Sequence, residues 1–572
     1  MAPHYRRWVT AAGRLAPLAL TLLLYAPTLT LPYFWDDFPL FNFVTAKSFV
    51  QLWTDVTGLP YYRPIAFTLY KIASELLPYG ATLLPRLFML LVHAANSWLA
   101  GYLAGQLWAR AGQTAAGRVW VERLAGLAFA AYPFAALPLV HFAAVHHPVV
   151  ILITLSGVLA VIRFTQTARG RWLALSLAGA ALAPYALEAG VAAGSVMAVA
   201  WLVFDRGSAR RRPWALALLP VLSALFLPVW VLVPKSRPDE AAVPLQFAHP
   251  ETLAASATFF WQALTYPVQP LATLWLKYLG GWDLGVVWAV GAAASVPAAV
   301  WLWRRGQWRT VVLAAAWTGL TSLPSIGALP FDYIIISPRL LYYPGAGGVL
   351  LWTAALVSLV ATEPAAWRRV WPRWALGAAL GAGLLVVPAA YLARHARLHV
   401  LALSPLAQLN TIARAAPTEQ HLVLNTINWL AYKQPWYPLG GDGVPVLAPY
   451  LTVLDLVYTN TGLRWPAEVA TFPDLRPDLN DHWLATANEE PGQLWDFARF
   501  AAQVAQYQRV WLTQYTDEQA VTGDVGAVTA GPAAPPAAYL ARFADAVYLT
   551  DAGFITQGQT LTVTLDWVVT QP

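Results

Sequence analysis

Between residues 15 and 395 the sequence returns repeatedly to runs of about 20 apolar residues, separated by short, arginine-bearing loops. Wound into a helix, such a run matches the roughly 30 Å hydrocarbon core of a bilayer. Eleven runs predict eleven spans, at 15–32, 85–106, 124–141, 148–164, 172–187, 189–204, 214–234, 284–303, 310–328, 341–361 and 374–393. The stretch 254–276 is also apolar, but Pro267 and Pro270 interrupt it and Gln262 and Gln269 add polarity. It reads as an interfacial or re-entrant segment, since a full span there would spoil the charge alternation of the later half. The first run follows Arg6, Arg7 and Arg14, as a signal peptide would, yet Pro32, Tyr33, Phe34 and Trp35 follow Leu31 in place of a small-residue cleavage site. It is read as an uncleaved anchor.

The loop charges give the chain a direction. Arg110, Arg118 and Arg123; Arg163, Arg169 and Arg171; Arg206, Arg210, Arg211 and Arg212; Arg304, Arg305 and Arg309; and Arg368, Arg369 and Arg373 fall on alternate loops. The opposite loops hold only scattered basic residues: Lys47, Arg63, Lys71, Arg86, Lys235, Arg237, Lys277 and Arg339. Basic loops stay in the cytoplasm, so the N-terminus is expected inside and, after eleven spans, the C-terminus outside, as in a multi-pass protein of the plasma (inner) membrane. The net charge of +7 is thereby explained by topology and gives no footprint for nucleic acid. Only 11% of the residues are charged, against about 25% in a soluble domain, which excludes a water-soluble enzyme of this length. The absence of cysteine excludes disulfides and thiolate metal sites.

Three regions are expected outside the membrane: a long aromatic-rich first loop at 33–84, the stretch 235–283, and the tail. In the tail, His421–Thr426, Arg509–Thr513 and Thr560–Val569 read as strands, 493–507 as a helix, and Gly526–Ala538 as a linker. The predicted fold is an α-helical polytopic membrane domain at 1–395 followed by an extracytoplasmic α/β domain at 396–572.

A few polar residues interrupt this pattern. Asp36 and Asp37 follow the first span among aromatic residues, where two adjacent carboxylates are costly unless paired, metal-bound or protonated. Such a setting raises a carboxylate towards the pKa of a general base, though a helix cap would use the same residues. Tyr61-Tyr62-Arg63-Pro64 reads by itself as an interfacial anchor with a snorkelling arginine. His93 and Asn96, inside the second span, read as helix–helix hydrogen-bonding partners. His141, His146 and His147 suggest a metal by type, but no carboxylate is near them in sequence, and an ordinary interfacial loop is the preferred reading. Glu188 sits in a hairpin with almost no loop, either as a functional carboxylate at the membrane face or as a turn residue facing water. Arg339 is the only basic residue between Arg309 and Arg368; its planar fork suits a phosphate, and the alternative is an interfacial arginine of no special role.

As an ordered set these residues resemble the GT-C superfamily of membrane glycosyltransferases, which take sugars from polyprenyl-phosphate donors. The likeness is nearest to the protein O-mannosyltransferase-like branch. It rests on the acidic pair Asp36-Asp37 with Asn42 following, Tyr62-Arg63-Pro64, His93-x-x-Asn96, Glu188-x-Gly190, and Arg339-x-x-Tyr342-x-Pro344, over roughly residues 15–395. The chain departs from that branch at Leu187, where a lysine is usual, at Tyr132-Pro133, where His-Pro is usual, and in lacking tetratricopeptide repeats. The resemblance implies inverting transfer of a sugar from a polyprenyl-phosphate donor to a protein or glycan acceptor at the outer membrane face. It implies Asp36 or Asp37 as the catalytic base, and Arg339 with Arg63 on the donor phosphate. Tyr62, His93, Asn96, Glu188 and Tyr342 would surround the substrate. No cofactor is established; a divalent metal is left open, with Asp37 and Glu188 as its candidate ligands. The competing reading is a transporter or flippase of a lipid-linked saccharide, which would use the same phosphate-binding arginine without bond formation.

Overall fold

A computed structural model of the chain describes residues 3–236, 250–280, 283–360, 370–440, 443–448, 450–471, 484–486, 493–515, 519–526, 541–543, 547–557 and 560–569. The chain divides into two units. The first comprises Met1–Tyr33, Pro39–Val400 and Lys433–Asp442; the second comprises Phe34–Phe38, Leu401–Tyr432 and Gly443–Pro572. The sequence drew one division at 395. Here the acidic pair is counted with the second unit, and a short piece of the tail with the first.

The first unit is helical. Among the described residues, six helical stretches are long and apolar enough to cross a bilayer: Leu83–Arg110, Phe142–Thr167, Pro213–Leu232, Leu284–Arg304, Trp308–Ala328 and Pro372–Ala415. The pair Ala115–Ala130 and Pro133–Val140 adds a seventh if taken as one span bent by 46°. Pro133 accounts for the bend, since it removes a backbone donor. Leu15–Thr28, Glu188–Phe204 and Gly345–Val360 are shorter apolar helices. On the long helices, apolar side chains such as Leu225, Val231, Leu232, Trp303 and Leu323 face outward. An exposed apolar surface of that kind suits lipid rather than water. The stretch read as interfacial forms two helices, Pro250–Thr265 and Gln269–Tyr278, interrupted around Pro267. The run expected to end at 393 continues as helix to Ala415 through a π-helical turn at Ala382–Val386, so the composition changes before the helix stops.

Long-range polar contacts fasten this unit. Arg86, counted above among loop charges, is buried, and it donates to the carbonyls of Thr28 (2.9 Å), Pro32 (2.7 Å) and Val140 (3.1 Å), and to that of Leu31. One guanidinium thereby joins the end of the first helix to the second span. The first external loop holds the helices Gln51–Thr54 and Pro64–Leu76. It is laced to the segment near residue 235, with Val56 N–H donating to the Pro234 carbonyl (2.9 Å) and Ser236 N–H to that of Leu59 (3.1 Å).

The second unit is built on sheets. Its strands are β1 His421–Leu424, β2 Trp429–Tyr432, β3 Gly443–Pro445, β4 Ala467–Thr471, β5 Leu484–Thr486, β6 Gln493–Leu494, β7 Arg509–Tyr515, β8 Ala520–Gly526, β9 Ala541–Phe543, β10 Val547–Gln557 and β11 Thr560–Val569. The central sheet has the order β6-β4-β1-β7-β8. Within it β6, β4, β1 and β7 run parallel and β8 is antiparallel. Among the described residues, two antiparallel sheets, β3-β2-β5 and β9-β10-β11, accompany it. Leu422, Leu424, Ala470, Trp495, Val504, Tyr507 and Val510 form a buried core against the central sheet. The strands expected near 421, 509 and 560 are present. The helix expected over 493–507 is shorter, Phe497–Gln503, because Asp496 caps it by accepting from Arg499 N–H (2.7 Å) and β6 takes the residues before. Apart from Gly526, the expected linker lies outside the described residues.

Candidate functional site

In the helical unit, charged and aromatic side chains gather from four segments distant in sequence. Arg63 precedes the helix Pro64–Leu76, whose first residue is a proline that needs no N–H partner there. Glu188 opens a 3₁₀ turn, Glu188–Ala192, between two apolar helices. That turn requires Gly190: a Cβ there would lie 2.4 Å from the Ala183 carbonyl oxygen. Glu188 uses both carboxylate oxygens, Oε2 accepting from Arg63 Nε at 2.7 Å and Oε1 from the Tyr62 N–H at 3.1 Å. The Tyr61 ring centroid lies 4.4 Å from the Arg63 guanidinium carbon. Burial opposes the Arg63 charge, but the Glu188 carboxylate, with Tyr61 and Tyr333, outweighs it and holds the guanidinium pKa above its ordinary value.

Arg63 Nη1 also lies 3.1 Å from His146 Nε2. Arginine carries donors only, so His146 accepts there and its ring is neutral. The His146 and His147 rings are 4.4 Å apart, and both residues are buried. The charges of Arg63 and Arg339 both act on these two imidazoles. Arg339 belongs to the 3₁₀ turn Pro338–Leu341, is 8% exposed, and donates from Nη2 to the Tyr333 hydroxyl at 2.8 Å.

The residues after Arg339 are clamped. Tyr132 Oη donates to the Leu341 carbonyl (3.1 Å), and His93 Nδ1 meets the Tyr342 hydroxyl (2.5 Å). Thr154 meets the Tyr343 hydroxyl (2.8 Å), Trp317 donates to the Tyr343 carbonyl (2.9 Å), and Thr318 donates to that of Pro344 (3.1 Å). Asn96 donates to the Pro148 carbonyl at 2.8 Å, just beyond the histidine pair. His93 and Asn96 thus act as polar links between helices, as membrane packing favours. A turn held by so many partners keeps its arginine in one position, the condition for electrostatic preorganisation.

The acidic pair stands on a separate feature in the second unit. Phe34 N–H donates to Asp37 Oδ2 and Asp37 N–H to the Phe34 carbonyl, both at 3.1 Å, closing a tight turn. Trp35 inside it has φ +52°, a left-handed conformation that costs a bulky residue about 1–3 kcal/mol. Trp35 N–H donates to the Val446 carbonyl at 3.0 Å. Asp37 is fully buried and starts the helix Asp37–Thr45. Asp36 is only partly covered, and its Oδ1 accepts from the Tyr450 hydroxyl at 3.0 Å.

Sequence order concealed two features. The histidines read as an ordinary loop are buried, and His146 meets Arg63, 83 positions before it. Tyr450 is 414 positions from the carboxylate it holds. As for a metal, no group of three His, Asp or Glu side chains among the described residues could hold one. Glu188 already serves Arg63 and Tyr62, and Asp37 belongs to the other unit.

No protein-family model matches the chain, and no curated protein matches it in sequence. Among solved structures, the chain is similar to the apo crystal structure of the Archaeoglobus fulgidus oligosaccharyltransferase at 12% identity and a TM-score of 0.39, covering 80% of this chain and 64% of that one. It is likewise similar to the same organism's oligosaccharyltransferase AglB in complex with an inhibitory peptide and a dolichol-phosphate, at 12% identity and a TM-score of 0.40, covering 81% of this chain and 65% of that one. The chain thus spans just under two thirds of the length of these structures, and a likeness at this level carries no functional argument.

Proposed function

We propose that this chain is a membrane glycosyltransferase of the GT-C type, which moves a sugar from a polyprenyl-phosphate donor to an acceptor hydroxyl at the outer membrane face. The observation that carries the reading is a pair of guanidiniums held in the helical unit, Arg63 by Glu188 and His146 and Arg339 by Tyr333, with both charges acting on His146 and His147. Guanidiniums held in such surroundings suit an anionic oxygen group, and phosphate matches their fork. In the reaction, the acceptor oxygen bonds to the anomeric carbon as the bond from that carbon to the phosphate oxygen breaks. The electron pair leaves on the lipid phosphate, where Arg339 and Arg63 stabilise it. The acceptor proton passes to a carboxylate.

Of the two aspartates we assign Asp36 as that base. Its partial exposure leaves it open to an acceptor, whereas Asp37 is enclosed and accepts from the backbone of its own turn. Tyr62, His93, Asn96 and Tyr342 then serve as supports: they orient Glu188, the histidine pair and the Arg339 turn. Binding of a polyprenyl phosphate to the purified protein in nanodiscs tests the phosphate assignment. Arg63→Ala and Arg339→Ala should each weaken binding about tenfold or more, the loss of one charge-assisted contact. Wild-type affinity in both variants would sink the reading.

A further inference from the structure

The central sheet of the second unit has its switch point at β1. From β1 the chain order runs outward through β4 and β6 on one side and through β7 on the other. In open parallel sheets the crevice outside the carboxyl ends of the strands at such a point is where ligands bind. The carboxyl end of β1 runs directly into Asn425-Thr426-Ile427-Asn428. Asn425 has φ +60° and donates its N–H to the Ala470 carbonyl of β4 at 3.0 Å, which turns the chain sharply at the sheet edge. Thr426 and Asn428 are only 7% and 8% exposed, yet Thr426 Oγ1 and Asn428 Oδ1 have no hydrogen-bond partner among the described residues. Buried polar atoms are rarely left so, and they mark a place where a partner is missing.

This edge is tied to the acidic turn. The Asn428 carbonyl accepts from the N–H groups of Val446 (2.8 Å) and Leu447 (3.1 Å), and the Val446 carbonyl accepts from Trp35 N–H (3.0 Å). Tyr450, 69% exposed, reaches back to Asp36. Amides and hydroxyls that both donate and accept, a carboxylate, and an aromatic ring presented to solvent are the groups that recognise a polyol with apolar C–H faces. Two carboxylates and no basic residue in these segments disfavour an anion.

We infer that the carboxyl edge of β1, with Thr426, Asn428, Tyr450 and Asp36, is a binding subsite for a neutral carbohydrate. Its purpose as the acceptor site rests on the transferase reading, but its existence does not. The test is saturation-transfer NMR on the full chain in nanodiscs, with methyl α-mannoside, methyl β-glucoside and N-acetylglucosamine as probes and a serine- and threonine-rich peptide as the alternative. At least one glycoside should receive saturation. Asn428→Ala and Tyr450→Ala should each weaken its binding about tenfold, the loss expected of one hydrogen bond or ring contact, and the near-isosteric Thr426→Val should weaken it less while the protein stays folded. Polyprenyl-phosphate binding should be unchanged in all three. Binding of the peptide alone, of no glycoside, or of a glycoside indifferent to all three substitutions overturns the proposal. Glycoside binding in a protein that transfers no sugar would leave the subsite standing and remove the transferase reading.

Discussion

The two units hold their charged groups in different ways. In the helical unit Arg63 and Arg86 are met by partners from distant segments, and Arg339 by Tyr333, six positions before it. The turn after Arg339 is fixed at four successive residues, from Leu341 to Pro344. In the second unit Asp36 rides on a turn whose neighbour Trp35 is in a left-handed conformation, and it is reached by a tyrosine hydroxyl. Lipid offers no hydrogen bonds, so a guanidinium in the helical unit must be satisfied from within, and its removal disturbs everything that satisfies it. A partly exposed carboxylate on a turn can lose its charge with little structural cost. Substitutions in the two units should therefore fail in different ways.

The largest effect is expected at Asp36. If it is the base, Asp36→Asn should lower turnover by about 10²–10⁴-fold, the usual contribution of a positioned acid or base. Lipid-phosphate affinity and thermal stability should stay at wild-type values. A parallel loss of affinity would erase the contrast between the units.

Arg339→Ala comes next. Its turnover should fall about 10²–10³-fold, by analogy with the loss of one oxyanion donor, and lipid-phosphate affinity should fall with it. Arg339→Lys keeps the charge but not the fork and should recover part of both losses. A purely structural arginine would show no such partial recovery in affinity.

Glu188→Gln should act mainly on stability. Breaking a buried ion pair costs about 3–5 kcal/mol, and the exposure of this one, 21% and 27% for its two side chains, reduces that to roughly 1–2 kcal/mol. Thermal unfolding of the detergent-solubilised protein measures it, and an unchanged midpoint would show that Arg63 does not depend on this carboxylate.

The smallest effect concerns His421 at the start of β1. Burial lowers its pKa, with the Ala416 carbonyl acting in the opposite direction, and Trp511 Nε1 donates to its Nδ1 at 2.9 Å. The unfolded chain, with an ordinary histidine pKa of about 6.5, binds the proton more readily than the fold does. The stabilisation is present above about pH 6.5 and is lost as pH falls towards the lowered folded value. His421→Gln should flatten the dependence of the melting temperature on pH across that window; an unaltered slope would assign it to other groups.

Much of this was legible in the sequence because it follows from local pattern. Apolar runs announced the helices, and the acidic pair, Arg63, Glu188 and Arg339 stood out as charges in apolar surroundings. Pairing was not legible. Arg63 reads alone as an interfacial anchor, and only folding brings Glu188, 125 positions away, to 2.7 Å from it. Arg86 read as one loop charge among several until its carbonyl partners were seen. His146 and His147 stood out by residue type, but with no carboxylate near them in sequence nothing local distinguished them from an ordinary interfacial loop. The helix running on to Ala415 escaped notice because its last turns are too polar to look like a span.

The central claim is that this chain forms a glycosidic bond. The most direct measurement is transfer of radiolabelled sugar from defined polyprenyl-phosphate donors by purified protein in proteoliposomes, with product separated from donor. The account predicts a labelled acceptor product that is lost in Asp36→Asn and strongly reduced in Arg339→Ala. Movement of the lipid-linked sugar across the bilayer with no product, or a product formed equally by Asp36→Asn, would contradict it.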